Sequence, residues 1–162
     1  DMLEDMVNVA SKNGLTPFST VQNRYSVITR GPENDGVLDA CRKYNIGFVP
    51  YFPLESGLLT GKYRKGTELP SGSRLEEWAE LPHGAMFLQE TMFDATEALI
   101  DYAESKNRTI LELGLSWLAE RPEIPSVIAG ATTPEQVTAN IAACSWTLND
   151  EERDDIEKLR PI

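Results

Sequence analysis

The stretch Phe48-Val49-Pro50-Tyr51-Phe52-Pro53-Leu54-Glu55-Ser56-Gly57-Leu58-Leu59-Thr60-Gly61-Lys62-Tyr63 decides how this chain is read. It opens as a short apolar and aromatic run and turns at once into a loop with two glycines and a lysine. A brief continuous apolar run reads as a strand covered on both faces, the kind found in parallel sheets. Pro50 and Pro53 argue against a central antiparallel strand and fit best near its ends. In parallel α/β folds, ligands bind at the C-terminal ends of the strands. Tyr51 stands there with a flat ring able to stack on a heteroaromatic ring. Gly57 lets backbone come close to a ligand, and Lys62 can meet a phosphate. A core tyrosine followed by an ordinary turn is the competing reading, and composition alone does not separate the two.

Working outward, helices and strands alternate. Met2 to Lys12 repeats apolar residues at three- and four-residue spacing, ending at Asn13-Gly14. Pro17 to Gln22 reads as a first strand, Pro32 to Lys43 as one helix, and Phe48 to Leu54 as the second strand. Glu55 to about Met92 is Gly-, Pro- and Ser-rich, and a long irregular stretch inside a compact domain is usually functional. Helices are expected over Phe93–Lys106 and Thr109–Glu120, a third strand over Pro125–Ala129, and helices over Pro134–Ala143 and Asp150–Leu159. Alternation of this kind implies parallel βαβ units. With three strands, residues 1–162 make either a small open sheet or a single partial-barrel domain, because a complete (β/α)8 barrel takes about 250 residues. The chain enters helical sequence directly at Asp1, as expected of an interior cut through a longer protein.

Two further segments carry candidate chemistry. In Gly130-Ala131-Thr132-Thr133-Pro134-Glu135-Gln136, Thr133 is a candidate N-cap, Pro134 suits the first helical position, and Gln136 completes a Thr-x-x-Gln capping box. Such an N-terminus can present backbone N–H groups to an anion, although a capped helix needs no ligand to explain it. In Val21-Gln22-Asn23-Arg24-Tyr25-Ser26, Gln22 offers both a donor and an acceptor at a strand end, suited to an amide-bearing ring.

Taken together, Val21–Ser26, Pro50–Leu54, Gly57–Tyr63, Pro70-Ser71-Gly72-Ser73-Arg74, and Ile128–Gln136 with Asn140 resemble successive signatures of the aldo-keto reductases. They stand in family order over nearly the whole chain, closest to the bacterial and plant-type branch that carries Gly-Leu-Leu-Thr-Gly-Lys. The resemblance implies the last three strands of a TIM barrel with their helices. It implies that Gln22 bonds the nicotinamide carboxamide and that Tyr51 stacks on the nicotinamide. Pro53, Leu54, Ser56 and Gly57 would then track the pyrophosphate, with Lys62 and Arg74 near the phosphates. Gly130, Thr132 and Gln136 would hold the adenosine-phosphate end, and Asn140 would read the adenine. It implies reduction of aldehydes or ketones with NADP(H) ahead of NAD(H). Yet the Lys or Arg that many members place between positions matching Gly130 and Gln136 is missing, and Phe52 stands where Ser is often found. The family's catalytic Asp, Tyr, Lys and His, and a Ser-Asn pair for the carboxamide, match no residue here. The chain alone is therefore expected to be inactive, either a reductase half or a non-catalytic dinucleotide- or partner-binding half-barrel. His83, in Pro82-His83-Gly84, reads as an exposed loop residue.

Composition limits the partners. Hydrophobic residues make up 41% and charged residues 25%, the balance of a globular domain. A net charge of −11 opposes nucleic acid and anionic membranes. The local basic run Lys62, Arg64, Lys65, Arg74 reads as a solvated loop unless its place beside Gly57 gives it a ligand. No apolar run reaches the roughly 20 residues that cross a bilayer. Cys41 and Cys144 lack metal-ligand spacing and read as reduced thiols of a cytoplasmic protein. The expected partners are the other half of the barrel or a second copy, and a small carbonyl substrate.

Overall fold

The computed structural model describes residues 2–159. The chain runs α1 (Met2–Lys12), β1 (Thr20–Arg24), a single turn α2 (Gly31–Asn34), α3 (Val37–Tyr44) and β2 (Gly47–Tyr51). A 3-10 segment (Glu55–Thr60), a short α4 (Arg74–Trp78), α5 (Glu90–Ser105) and α6 (Ile110–Ala119) follow. The chain closes with α7 (Pro134–Ala142), a 3-10 turn (Ala143–Ser145) and α8 (Asp150–Lys158).

The two strands pair in parallel, with Val21 opposite Phe48, Gln22 opposite Val49 and Arg24 opposite Tyr51. Because side chains alternate along a strand, Val21, Asn23, Phe48 and Pro50 share one face, and Gln22, Arg24, Val49 and Tyr51 the other. The first face meets the helices: Phe48 is fully buried, edge-on to Tyr25 at 5.4 Å between ring centroids. Tyr25 in turn lies 5.3 Å from Trp117 of α6. The second face is open, with Gln22 and Tyr51 exposed.

Most expected elements are present, with shifted ends. The expected helix over Pro32–Lys43 is broken at Asp35-Gly36, where Gly36 takes φ +85°. That left-handed residue cannot continue a helix. β1 begins at Thr20 rather than Pro17, and β2 ends at Tyr51 because Phe52 takes φ +54°. The loop from Glu55 is more ordered than expected and ends earlier, at Glu90. Capping boxes at Thr109/Glu112 and Asn149/Glu152 set the starts of α6 and α8.

The third strand is a correction: Pro125–Ala129 forms none, and the ladder among the described residues has two strands. The segment runs beside β2, where Phe48 N–H donates to Glu123 O at 2.7 Å. Pro125, packed where a side chain at Gly47 would go, has no N–H with which to extend that contact. The fold is thus a small α/β unit consistent with part of a barrel.

Candidate functional site

The polar and aromatic groups gather where β1 and β2 end. Register places Arg24 beside Tyr51, and Tyr25 N–H donates to Tyr51 O at 3.3 Å, so the two strand ends are tied together. Gln22, one step back on the same open face, lies diagonal to Tyr51. Tyr51 is 42% exposed, so it is not the core tyrosine of the competing reading.

After Tyr51 the chain enters a strained loop. Phe52, Glu55 and Ser56 have φ values of 54°, 46° and 55°, and Gly57 has 104°. A non-glycine residue in this region costs about 1–2 kcal/mol, and such strain concentrates at ligand clamps. Pro53 and Leu54 are buried and fix the loop to the core. Ser56 is also buried, and its Oγ has no hydrogen-bond partner. Lys62 folds back over Gly57: a Cβ there would lie 2.9 Å from Lys62 Cε and 3.3 Å from its Nζ. A buried hydroxyl without a partner, followed by a left-handed glycine over which an ammonium folds, fits a phosphate.

A buried network holds this loop. Glu55 is fully buried, and its carboxylate accepts from Arg24 Nη2 and from Ser26 Oγ at 2.5 Å. Ser26 Oγ also accepts from Ile28 N–H and Thr29 N–H at 3.1 and 2.9 Å. Arg24 lies 4.8 Å over the Phe87 ring, and its Nη1 contacts Met86 Sδ at 3.1 Å. Nothing in the sequence links Arg24 to Glu55 or Phe87; only folding brings them together.

The basic run divides. Arg64 makes a bidentate pair with Glu97, and Lys65 bonds Glu90 and Asp94, pinning the loop to α5. Lys62 and Arg74 form no salt bridge among the described residues, and Arg74 stacks 5.5 Å over Trp78. His83 is exposed, with its ring edge-on to Trp78.

Gly130, Thr132, Gln136 and Asn140 form a second group, on α7 and the segment just before it. Thr133 caps the helix by accepting from Gln136 N–H at 3.3 Å. The expected reciprocal bond is displaced by one residue, since Gln136 Oε1 accepts from Thr132 N–H at 2.7 Å instead of from Thr133. Asn140 lines a cavity of about 220 Å³ with Leu115, Val127, Ala129, Val137 and Cys144. The Glu135 carboxyl is held below its ordinary range, first by its own backbone N–H and then by the Thr133 hydroxyl. α6 stands between the two groups: a side chain at Gly114 would meet Leu59, while Leu115 lines the α7 cavity. Both cysteines are free thiols, Cys41 buried and Cys144 exposed. No helix among the described residues is long and apolar enough to cross a membrane, and none of their side chains cluster as a metal site.

The sequence is similar to those of known proteins. The model of the Aldo/keto reductase family matches residues 1–161. The chain is 30% identical to a "Putative voltage-gated potassium channel subunit beta" of Schizosaccharomyces pombe, over 98% of this chain and 44% of that protein. It is 34% identical to an "NADH-specific methylglyoxal reductase" of Escherichia coli, over 80% and 38%. It is 30% identical to an "L-glyceraldehyde 3-phosphate reductase" of the same species, over 78% and 37%. The chain thus spans less than half the length of these relatives. A match that covers all but the last residue, with a tyrosine and a glycine loop at parallel strand ends, makes this chain a member of the aldo-keto reductase family, whose members are oxidoreductases that use nicotinamide cofactors.

Proposed function

We propose that this chain is the C-terminal, dinucleotide-binding half of a reductase of aldehydes or ketones. The observation that carries the reading is the Phe52–Gly57 loop, where Ser56 Oγ is buried without a partner and the Lys62 ammonium folds over the next residue, Gly57. Tyr51 would offer its exposed ring to the nicotinamide, and Gln22 its side-chain amide to the carboxamide. Ser56, Gly57, Lys62 and Arg74 would hold the phosphates. Asn140 and the cavity beside it would take the adenine, next to Gly130, Thr132 and Gln136. Bound nicotinamide supplies the hydride for a carbonyl carbon. The groups that protonate the carbonyl oxygen, a second pair for the carboxamide and most substrate contacts would come from the other half of the barrel. A cytoplasmic location goes with this reading.

Resemblance alone puts NADP(H) first. Charge at the adenosine end argues for NAD(H), which we propose instead. Positions 122 to 152 hold no Lys, Arg or His, and Glu135 sets a carboxylate at the start of α7. One relative carries "NADH-specific" in its name.

Titration with NADH while tryptophan fluorescence is followed tests the core of the reading. Saturable binding is expected, and failure of the complete protein to bind either dinucleotide would end it. Carbonyl reduction by this chain alone would contradict the assignment of catalysis to the other half. A second reading, a half-barrel that binds dinucleotide without turnover, draws support from the channel-subunit name of one relative. It predicts binding without reduction in the complete protein.

A further inference from the structure

Glu55 poses an electrostatic problem. Its carboxylate is fully buried beneath the loop assigned to a pyrophosphate, where an uncompensated negative charge would repel the ligand. Arg24 neutralises it. The pair is not an economical way to build a turn. Glu55 and Ser56 both adopt left-handed backbone that glycine would adopt without strain. Buried ion pairs also add little net stability, and well-packed neutral groups often do as well. Stability therefore does not call for this arrangement.

Its position suggests what does. Arg24 is the last residue of β1 and the register partner of Tyr51. Its guanidinium reaches Glu55 on one side and Phe87 and Met86 of the long loop on the other. Its Nε is buried without a partner. One side chain thus connects the strand end that presents Tyr51, the left-handed run before Gly57, and the segment whose Phe87 packs on Phe52. Ser26 accepts from two backbone N–H groups of its own turn and donates to the other Glu55 oxygen, which fixes the carboxylate.

We propose that Arg24 and Glu55 are positioning residues for dinucleotide binding, holding the Phe52–Gly57 backbone in register with Tyr51 while cancelling the buried charge. The proposal rests on the dinucleotide reading above. It places neither side chain on the reacting atoms.

The test is a charge-cancelling cycle in the complete protein, reading melting temperature and NADH affinity together. Arg24→Met strands the Glu55 carboxylate and is expected to lower both. The double variant Arg24→Met/Glu55→Gln removes the stranded charge but keeps an acceptor for Ser26. Its melting temperature should return close to the parent's, while NADH affinity stays down by about tenfold or more. Arg24→Lys, which keeps the charge but loses the fork, should recover part of that affinity. If Arg24→Met does not fold, Glu55→Gln alone carries the prediction, with about tenfold weaker binding and a folded protein. Parent-like NADH affinity in the double variant would show that the pair only supports the fold, and would overturn the proposal. Failure of the parent itself to bind NADH would remove the dinucleotide reading first, and this proposal with it.

Discussion

Gly57 has the largest positive φ in the loop proposed to hold the pyrophosphate. Its φ of 104° is strained for any L side chain, and a Cβ would press on Lys62 Cε at 2.9 Å and on Tyr63. Gly57→Ala should thus displace Lys62 and the backbone together. The expected outcome is about tenfold or more loss of NADH affinity, with a destabilisation of about 1–2 kcal/mol, read by titration and by thermal melting. Parent-like affinity would remove Gly57 from the site. Cys144 allows an independent check of the other end. It is exposed and lines the cavity beside Asn140, whereas Cys41 is buried. Burial raises both thiols, that of Cys41 with help from the Glu123 carboxylate. Maleimide at pH 8 should label Cys144 and spare Cys41, and NADH or 5′-AMP should slow the labelling. Equal rates with and without ligand would place the adenine elsewhere.

At the scale of elements, α7 is where the choice of dinucleotide should be decided. Its first helical residue, Pro134, has no N–H, and the N–H of Gln136 is taken by Thr133. The Glu135 carboxylate engages its own N–H. A 2′-phosphate arriving there would meet an acid, and no base from positions 122 to 152. NADH is expected to bind about tenfold more tightly than NADPH, and Glu135→Lys should narrow that gap. Tighter binding of NADPH by the parent would reverse the assignment without touching the dinucleotide reading. This element also shows what sequence could and could not supply. Thr133, Pro134 and Gln136 announced the cap, since capping depends on neighbours within one turn. The target of the Gln136 side chain, one residue off, depended on backbone geometry. Apolar periodicity located α5 and α6, and the Tyr51–Lys62 order located the loop. The strand expected at Pro125–Ala129 failed because apolar character does not guarantee a pairing partner. The Arg24–Glu55–Phe87 network stayed hidden because its members lie tens of residues apart, and only the fold brings them together.

At the scale of the molecule, the unsolved problem is the open side of the sheet. A two-stranded parallel sheet is rarely stable with one face in water, because such sheets are ordinarily covered on both faces. Here the helices cover the Phe48 face, while Gln22, Val49 and Tyr51 look outward, and Phe18 just before β1 is 57% exposed. Ile128, Val137 and Ile141 add a second exposed apolar group around α7. In the partial-barrel reading, the other half of the barrel would cover the sheet face. In its absence, a second copy is the cover nearest to hand, matching apolar surface to apolar surface and strand edge to strand edge. This chain on its own is therefore expected to run larger than a monomer in light scattering at micromolar concentration. Val49→Lys, which sets a charge in the middle of the open face, should shift it toward monomer with little change in melting temperature. Supplying the remaining half of the barrel as a separate chain should do the same without any substitution, and should raise NADH affinity by completing the site. A compact, unassociated monomer that gains nothing from the second chain would mean that the open face needs no partner, and the half-barrel account of this fold would have to be abandoned.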